Sequence, residues 1–357
     1  MSMQPGISIA GRLIAADQPP YVIAELSGNH NGDIERAFAI IEACAAAGAS
    51  AVKLQTYTAD TITIDHDGPG FVIESGPWAG RRLHDLYREA HTPWEWHQAL
   101  FDKARGLGLA VFASVFDETS VDFLEGLDCP AYKIASFEIV DLPLIRRTAR
   151  TGKPMILSTG MAGLAEIEAA VAAAREAGCR DLILLHCISG YPTPASEANL
   201  ATIPHLAQAF GTAVGLSDHT LGVAVSVAAV ALGAVVIEKH VTLRRSDGGP
   251  DAAFSLEPDE LRLMCDAVRD AQAARGSVAY GCQPSEAASL QFRRSLYAVR
   301  DIRAGEALTS DNVRSIRPGY GLAPRHLPEI MGRRADRDIA RGTPLAWKMI
   351  AESGGNS

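Results

Sequence analysis

A chain of 357 residues is long enough for one large domain and a small second one. Hydrophobic residues at 47% and charged residues at 21% fit a soluble globular protein, and no apolar stretch reaches the length of a membrane span. A formal net charge of -9 excludes a general nucleic-acid binder, which needs a basic face, but leaves room for an anionic small ligand held by local lysines.

The chain opens on MSMQPGISIAGRLIAADQPP, which has no charged segment ahead of an uninterrupted apolar one, so no secretory signal is read and a cytoplasmic location is expected. Within it, ISIAGRLIA predicts a hairpin that closes the bottom of the domain that follows. Eight apolar, β-branched runs come next, at 21–27, 51–57, 110–116, 131–136, 155–159, 182–188, 213–219 and 235–241. Helical patterns separate them. IERAFAIIEACAAAG stops at Gly48, and PWEWHQALFDKARGLG has Pro93 near its start and glycines at its end. LAEIEAAVAAAREAG is rich in Ala and Glu, and EPDELRLMCDAVRDAQAARG supplies the eighth helix. Eight β/α units predict a closed (β/α)8 TIM barrel over residues 1–278. The connection 58–92, rich in Asp, Gly and Pro, is long enough to act as a lid. From residue 279 the pattern changes. Residues 279–292 read as a linker, and the short strands and turns of 293–357 as a small, mostly β module. The cysteines, Cys44, Cys129, Cys179, Cys187, Cys265 and Cys282, form no CxxC pair and are expected to be reduced and buried.

In such a barrel, chemistry sits at the C-terminal ends of the strands, and polar residues recur there. Glu25 and Ser27 end the first run, Lys53 and Gln55 lie on the second, and Ser114, Lys133, Ser136 and Ser158 follow. The sixth run leads into Ser189 and Tyr191, the seventh holds Ser217 and His219, and the eighth Glu238 and His240. Lys53 with Gln55, Ser217 with His219 and Glu238 with His240 are two apart, so each pair shares a strand face. One such residue is ordinarily an outward-facing side chain. The same habit at the same end of eight strands points to a lined cavity.

Neutral imidazoles at 219 and 240 suit a divalent metal such as manganese, iron, cobalt or zinc, with positions left open for water or substrate. Simple hydrogen bonding at the barrel top is the alternative. Lys53 and Lys133, with the hydroxyls of Ser136, Ser158, Ser189 and Ser217, describe a pocket for phosphate and carboxylate. A Schiff-base lysine is a second reading of the same residues, and snorkelling to solvent a third. Glu25 and Glu238 either orient or move a proton, or act as charge partners of the lysines.

AELSGNHNGD, VKLQTY, YKIAS, ILSTGM, LLHC, SGYPTP, GLSDHT, VIEKHVT and GGPDAAFSLEP, in this order, resemble the sialic acid synthase family. SLYAVRDIRAGEALTSDNVRSIRPGYGL resembles the antifreeze-like (SAF) domain that ends those proteins. The likeness covers nearly the whole chain from about residue 21, and the motifs agree in order and spacing. WAGRRLHDLYREAHTPWEW, SGYPTP and GGPDAAFSLEP are similar to the pseudaminic acid branch of the family rather than to its N-acetylneuraminate branch.

The resemblance implies a metal-dependent condensation of phosphoenolpyruvate with 2,4-diacetamido-2,4,6-trideoxy-altropyranose that releases phosphate, with manganese or magnesium as the metal. It implies His219 and His240 as the metal ligands and Glu25, Lys53 and Lys133 as catalytic residues. Ser136, Ser158 and Ser217 match positions that hold phosphoenolpyruvate, and Glu238 joins them as a substrate-binding residue. Ser114 stands where the N-acetylneuraminate enzymes have Thr, in a Ser-Val rather than a Thr-Pro pair, and Ser189 where they have Asn. Gln55, Glu138, Tyr191 and Asp251 match sugar-facing positions. Arg317 matches an arginine offered by the tail module to the partner subunit's active site, which implies a domain-swapped homodimer. The same chemistry on N-acetylmannosamine or the legionaminic acid precursor, a Schiff-base aldolase and a non-catalytic carbohydrate-binding protein remain as alternatives.

Overall fold

The structure is a computed structural model that describes residues 6–76 and 78–352. Residues 1–5, Pro77 within the expected lid, and 353–357 at the end of the expected tail module lie outside the described residues. The chain divides into two compact units between Gly276 and Ser277.

The hairpin opens the first unit. Strand β1 (Ile7–Ile9) pairs antiparallel with β2 (Arg12–Ile14), and the turn passes through Ala10 and Gly11, both at positive φ. Ile9 and Ile14 are buried in the main core, each worth roughly 2 kcal/mol of burial. The Arg12 guanidinium donates to the Pro20 carbonyl and to Ser50 Oγ, residues just ahead of the first two barrel strands. The hairpin therefore covers the N-terminal end of the barrel.

Each of the eight expected runs contains a strand. These are β3 (Tyr21–Glu25), β4 (Ala51–Thr56), β5 (Ala110–Val115), β6 (Tyr132–Ile134), β7 (Met155–Ser158), β8 (Leu182–Cys187), β9 (Ala213–Asp218) and β10 (Val236–His240). All pair in parallel and close in the order β10-β3-β4-β5-β6-β7-β8-β9. Both faces of such a sheet are covered, one by the barrel interior and one by helices. This is why a strand such as LILLHC is apolar almost throughout and buried at every position. The ladders stop short of the apolar runs because the chain leaves the sheet there, as at Ser27 with φ of 49°. Ser27, Ser136, Ser189, Tyr191 and His219 consequently stand on the turns just above their strands.

A helix follows each strand, the first being Ile34–Ala47 and the last Pro258–Arg275. The first is started by Asp33, whose side chain accepts the Glu35 N–H, and stopped by Gly48 at φ 88°, a left-handed cap that a side chain would strain. The expected lid is more ordered than its Asp, Gly and Pro content suggests. It holds the short helices Ala59–Ile62 and Leu83–Ala90 and a bridge between Val72 and Arg82. Among the described residues no helix is long and apolar enough to cross a membrane.

In the second unit, strands β11 (Ser295–Ala298) and β12 (Val313–Ile316) pair antiparallel over a small core of Leu296, Ile302, Leu308, Val313, Ile330 and Leu345. The segment expected as linker contains a 3-10 helix over Pro284–Phe292. Pro284 presets its first turn, and the Glu286 side chain accepts the Gln283 N–H at 2.8 Å, so local start signals prevail over turn-rich composition. Cys282, just ahead of it, is exposed, unlike the five buried cysteines, and corrects the expectation that all six are buried.

Candidate active site

Register decides which side chains meet at the barrel mouth. Lys53 stands level with Glu25 across β3 and β4, and Glu238 level with Ser217 across β10 and β9. Lys53 Nζ pairs with Glu25, donates to Ser114 Oγ at 2.9 Å and lies 3.8 Å from Glu238 Oε2. Ser217 Oγ donates to Glu238 Oε1 at 2.9 Å, and the Ser27 N–H to Glu25 Oε1 at 3.1 Å. Lys133, buried on β6 and level with Ser114, donates to the Ile134 carbonyl at 2.7 Å.

Two carboxyl groups thus share one ammonium, and their proton affinities split. Burial pushes Glu25 up to about 7 despite the attraction of Lys53, and the charge of Glu238 adds to the rise. Burial acts on Glu238 as well, but Lys53, Lys133 and the Ser217 hydroxyl outweigh it and hold that carboxyl below its ordinary value. Near neutral pH, Glu238 carries the negative charge while Glu25 is poised between its two forms. Burial opposes the charge on Lys53, yet Glu238 and Glu25 raise its pKa; at Lys133 burial prevails and lowers it.

Hydroxyl groups ring the lysines. Ser136 Oγ accepts the Gly160 N–H at 3.1 Å. A Cβ on Gly160 would overlap both the Ser136 and Ser189 hydroxyls, so these two serines converge on one bare stretch of backbone. Ser158 Oγ is buried without a hydrogen-bond partner, a vacancy that an anionic ligand oxygen can fill.

The two imidazoles lie side by side with ring centres 5.3 Å apart. His219 Nδ1 faces the Ile188 carbonyl at 2.9 Å and must carry the proton to do so, leaving Nε2 as a lone-pair donor. Burial, reinforced by the charges of His219, Lys53 and Lys239, drives the pKa of His240 far down and keeps its ring neutral. His240 Nδ1 is buried without a hydrogen bond and lies 3.8 Å from Asp251 Oδ2. Burial lowers the pKa of His219, but Cys187 and the Ile188 carbonyl outweigh it and raise it, so an ion would displace any second proton, at Nε2. With that proton gone, two imidazole nitrogens fit a divalent ion held loosely and open to water and substrate. Among the described residues no cluster of three or more His, Cys, Asp or Glu side chains could enclose a metal completely.

An aromatic wall borders the histidines. The Tyr191 ring lies 4.4 Å from that of His219, 5.2 Å from Phe254 and 5.6 Å from Trp78, and Phe254 lies 5.0 Å from His240. Trp78 belongs to the lid and donates to the Pro250 carbonyl at 2.9 Å. Asp251 accepts the Ser27 hydroxyl, and burial raises its pKa. Gln55 is half-buried, level with Ser114. Glu138 has one carboxyl oxygen shut away without a partner, and burial pushes its pKa to about 7 against the pull of Lys133.

Every expected barrel residue therefore lies at the same end of the barrel. Arg317 belongs to the second unit, exposed just past β12, with no hydrogen bond or ion pair among the described residues. Sequence reasoning assigned no individual role to Trp78, Phe254 or Cys187, whose sulfur lies 3.8 Å from His219 Nδ1. Trp78 lies in the segment expected as a lid and Cys187 reads as a buried thiol, and only the fold brings the three to the mouth.

Residues 40–280 match the NeuB family and residues 293–351 the SAF domain. A pseudaminic acid synthase of Helicobacter pylori is 42% identical over 337 residues, covering 94% of this chain and 99% of that protein. An N,N'-diacetyllegionaminic acid synthase of Legionella pneumophila is 34% identical, covering 92% and 94% of the two chains. The crystal structure of the spore coat polysaccharide biosynthesis protein SpsE of Bacillus subtilis superposes with a TM-score of 0.67 at 34% identity, covering 98% of this chain and all of that one.

Proposed function

The chain belongs to the NeuB family, and from that premise we propose that it is a pseudaminic acid synthase, a transferase joining phosphoenolpyruvate to 2,4-diacetamido-2,4,6-trideoxy-altropyranose. The observation that carries this reading is the meeting of Lys53, Lys133, Glu25 and Glu238 with two imidazoles in one barrel mouth. Identities of 42% and 43% to pseudaminic acid synthases, against 34% and 37% to legionaminic acid synthases, favour the first sugar.

In the reaction, the methylene carbon of phosphoenolpyruvate forms a bond to the aldehyde carbon of the open-chain sugar, whose oxygen takes a proton. Water adds to the former enol carbon, and phosphate departs as its carbon–oxygen bond breaks. Lys53 and Lys133 balance the phosphate and carboxylate charges inside a site where water cannot screen them. Ser136, Ser158, Ser189 and Ser217 supply hydroxyl donors, and the open backbone at Gly160 lets the ligand approach closely. The Glu25 carboxyl, at about 7, can hold or release a proton near working pH. Gln55, Glu138, Tyr191 and Asp251 would orient the sugar, with Trp78 of the lid excluding water. His219 and His240 would hold a manganese or magnesium ion, which when bound polarises the sugar's carbonyl.

Arg317 is exposed and has no hydrogen bond or ion pair among the described residues, which fits a cation reserved for another subunit, so the working form would be a homodimer in which each tail module serves its partner's barrel. Free thiols at all six cysteines fit a reducing compartment, the cytoplasm. The lowered pKa of Lys133 is the one feature that would also suit a Schiff-base lysine, although its amine is engaged by the Ile134 carbonyl. Phosphate release with a panel of N-acetylated sugars, with and without chelator, tests the assignment by product mass. Turnover only with the 2,4-diacetamido sugar and only with metal is expected. Metal-independent turnover with borohydride trapping on Lys133 would replace it by the aldolase reading.

A further inference from the structure

Strands β9 and β10 carry a second set of charges on their other side. Ser217 and Glu238 meet inside the barrel, whereas Asp218 and Lys239, the next residue on each strand, face the helix Ala224–Ala231. Asp218 and Lys239 stand level in the ladder, with side chains 1% and 0% exposed and Nζ 2.8 Å from Oδ2. The Ser226 hydroxyl donates to the same Asp218 oxygen at 2.6 Å. Thr220 is gripped at both ends: its N–H donates to Asp218 Oδ1 at 2.9 Å, and its carbonyl accepts from Lys239 Nζ at 2.6 Å.

Each member of this pair is the immediate neighbour of an imidazole. Asp218 precedes His219 and Lys239 precedes His240, so the network brackets His219 through the residues on both of its sides and ties that bracket to the residue before His240. The remaining backbone groups are fastened too, since the Thr193 N–H donates to the His219 carbonyl and the Leu256 N–H to the His240 carbonyl, each at 2.9 Å. Both side chains are shut away from water, so bulk solvent does not stand in for a lost partner.

A buried ion pair is often no more stabilising than apolar side chains of the same size, which leaves its presence here to be explained by position rather than by stability. Metal–ligand distances tolerate only about 0.2 Å of error, and two ligands on different strands meet that tolerance only if the strand ends are fixed to each other. We propose that Asp218 and Lys239 are positioning residues that lock the strand ends bearing His219 and His240 and so set the spacing of the two rings. The inference rests on the divalent-ion reading of that pair of histidines.

The test uses the full chain and reads metal affinity rather than turnover. Mn2+ binding followed by electron paramagnetic resonance gives the dissociation constant, and the visible spectrum of the Co2+ form reports coordination geometry. Asp218→Leu combined with Lys239→Met keeps the site apolar and filled. It leaves the Thr220 N–H and carbonyl and the Ser226 hydroxyl without partners, so it melts below the wild type, and its Mn2+ dissociation constant, measured on the folded chain, rises about 10- to 100-fold, the range seen when residues that orient metal ligands are lost. Ser226→Ala, which removes one hydroxyl and leaves the ion pair in place, moves the constant in the same direction by a smaller factor. Val268→Ala, in the buried face of the last barrel helix, lowers the melting temperature without changing the constant. Wild-type affinity and an unchanged Co2+ spectrum in the paired variant overturn the inference. If that variant does not fold, wild-type affinity in Ser226→Ala overturns it instead. A wild-type chain that binds neither ion refutes the metal reading itself, and the positioning role with it.

Discussion

Glu25→Gln puts an amide of the same shape in place of a carboxyl that is 1% exposed and lies between Lys53 and the Ser27 N–H. The carboxyl titrates at about 7 in the folded chain against an ordinary value of 4.5. A pKa raised by folding favours the folded state fully below 4.5, and that benefit is lost as pH rises through about 7. At ~1.4 kcal/mol per pH unit, the rise corresponds to about 3 kcal/mol. At pH 5 the wild-type side chain is still mostly protonated and resembles Gln, so the two proteins should unfold alike. At pH 8 the wild type bears the cost of a buried second anion and the variant does not, while Lys53 retains Glu238 at 3.8 Å as counter-charge. The variant should therefore gain on the wild type by up to about 3 kcal/mol between pH 5 and pH 8, in urea unfolding of the barrel followed by circular dichroism. Its phosphate release should fall by roughly 100-fold or more if Glu25 moves a proton. A stability gap that does not change with pH would refute the shared-ammonium argument, and full turnover would remove Glu25 from proton transfer.

Gly160→Ala pushes a methyl into the Ser136 and Ser189 hydroxyls and should raise KM for phosphoenolpyruvate at least ~10-fold while the sugar's KM holds, read from steady-state phosphate release. Trp78→Ala removes the lid's contact with Tyr191 and should raise KM for the sugar more than that for phosphoenolpyruvate, in the same assay. Chelation should abolish turnover and added Mn2+ restore it, in the same phosphate-release assay. Mixing two inactive homodimers, Arg317→Ala and Lys133→Met, should recover about a quarter of wild-type activity after random re-pairing, since half the dimers then hold one intact site. No recovery would place both residues in the same subunit's site.

The barrel was legible because its strands are buried on both faces and so print an apolar run eight times over, with helix patterns between them. The lysines, carboxyl groups and histidines were legible for a related reason: a charge inside an apolar run is conspicuous, and two charges two residues apart must share a face. Three things were not legible. Trp78 and Phe254 join Tyr191 from separate loops, and no local pattern couples residues so far apart in sequence. Asp218 and Lys239 sit between residues that the same alternation assigns to the interior, and a lone outward charge reads as solvated although both are buried. Cys187 reads as core because a thiol is a small hydrophobe until its neighbours are known.

The β1–β2 hairpin has a consequence for traffic. With one end of the barrel stoppered by Ile9, Ile14 and Arg12, reactants and products are left with a single doorway. A compound held by the lysines of the strands, beneath the aromatic residues of the loops, would have to arrive before the one that rests on those loops. A steady-state kinetic pattern of compulsory order in the two reactants is what such a one-ended site predicts.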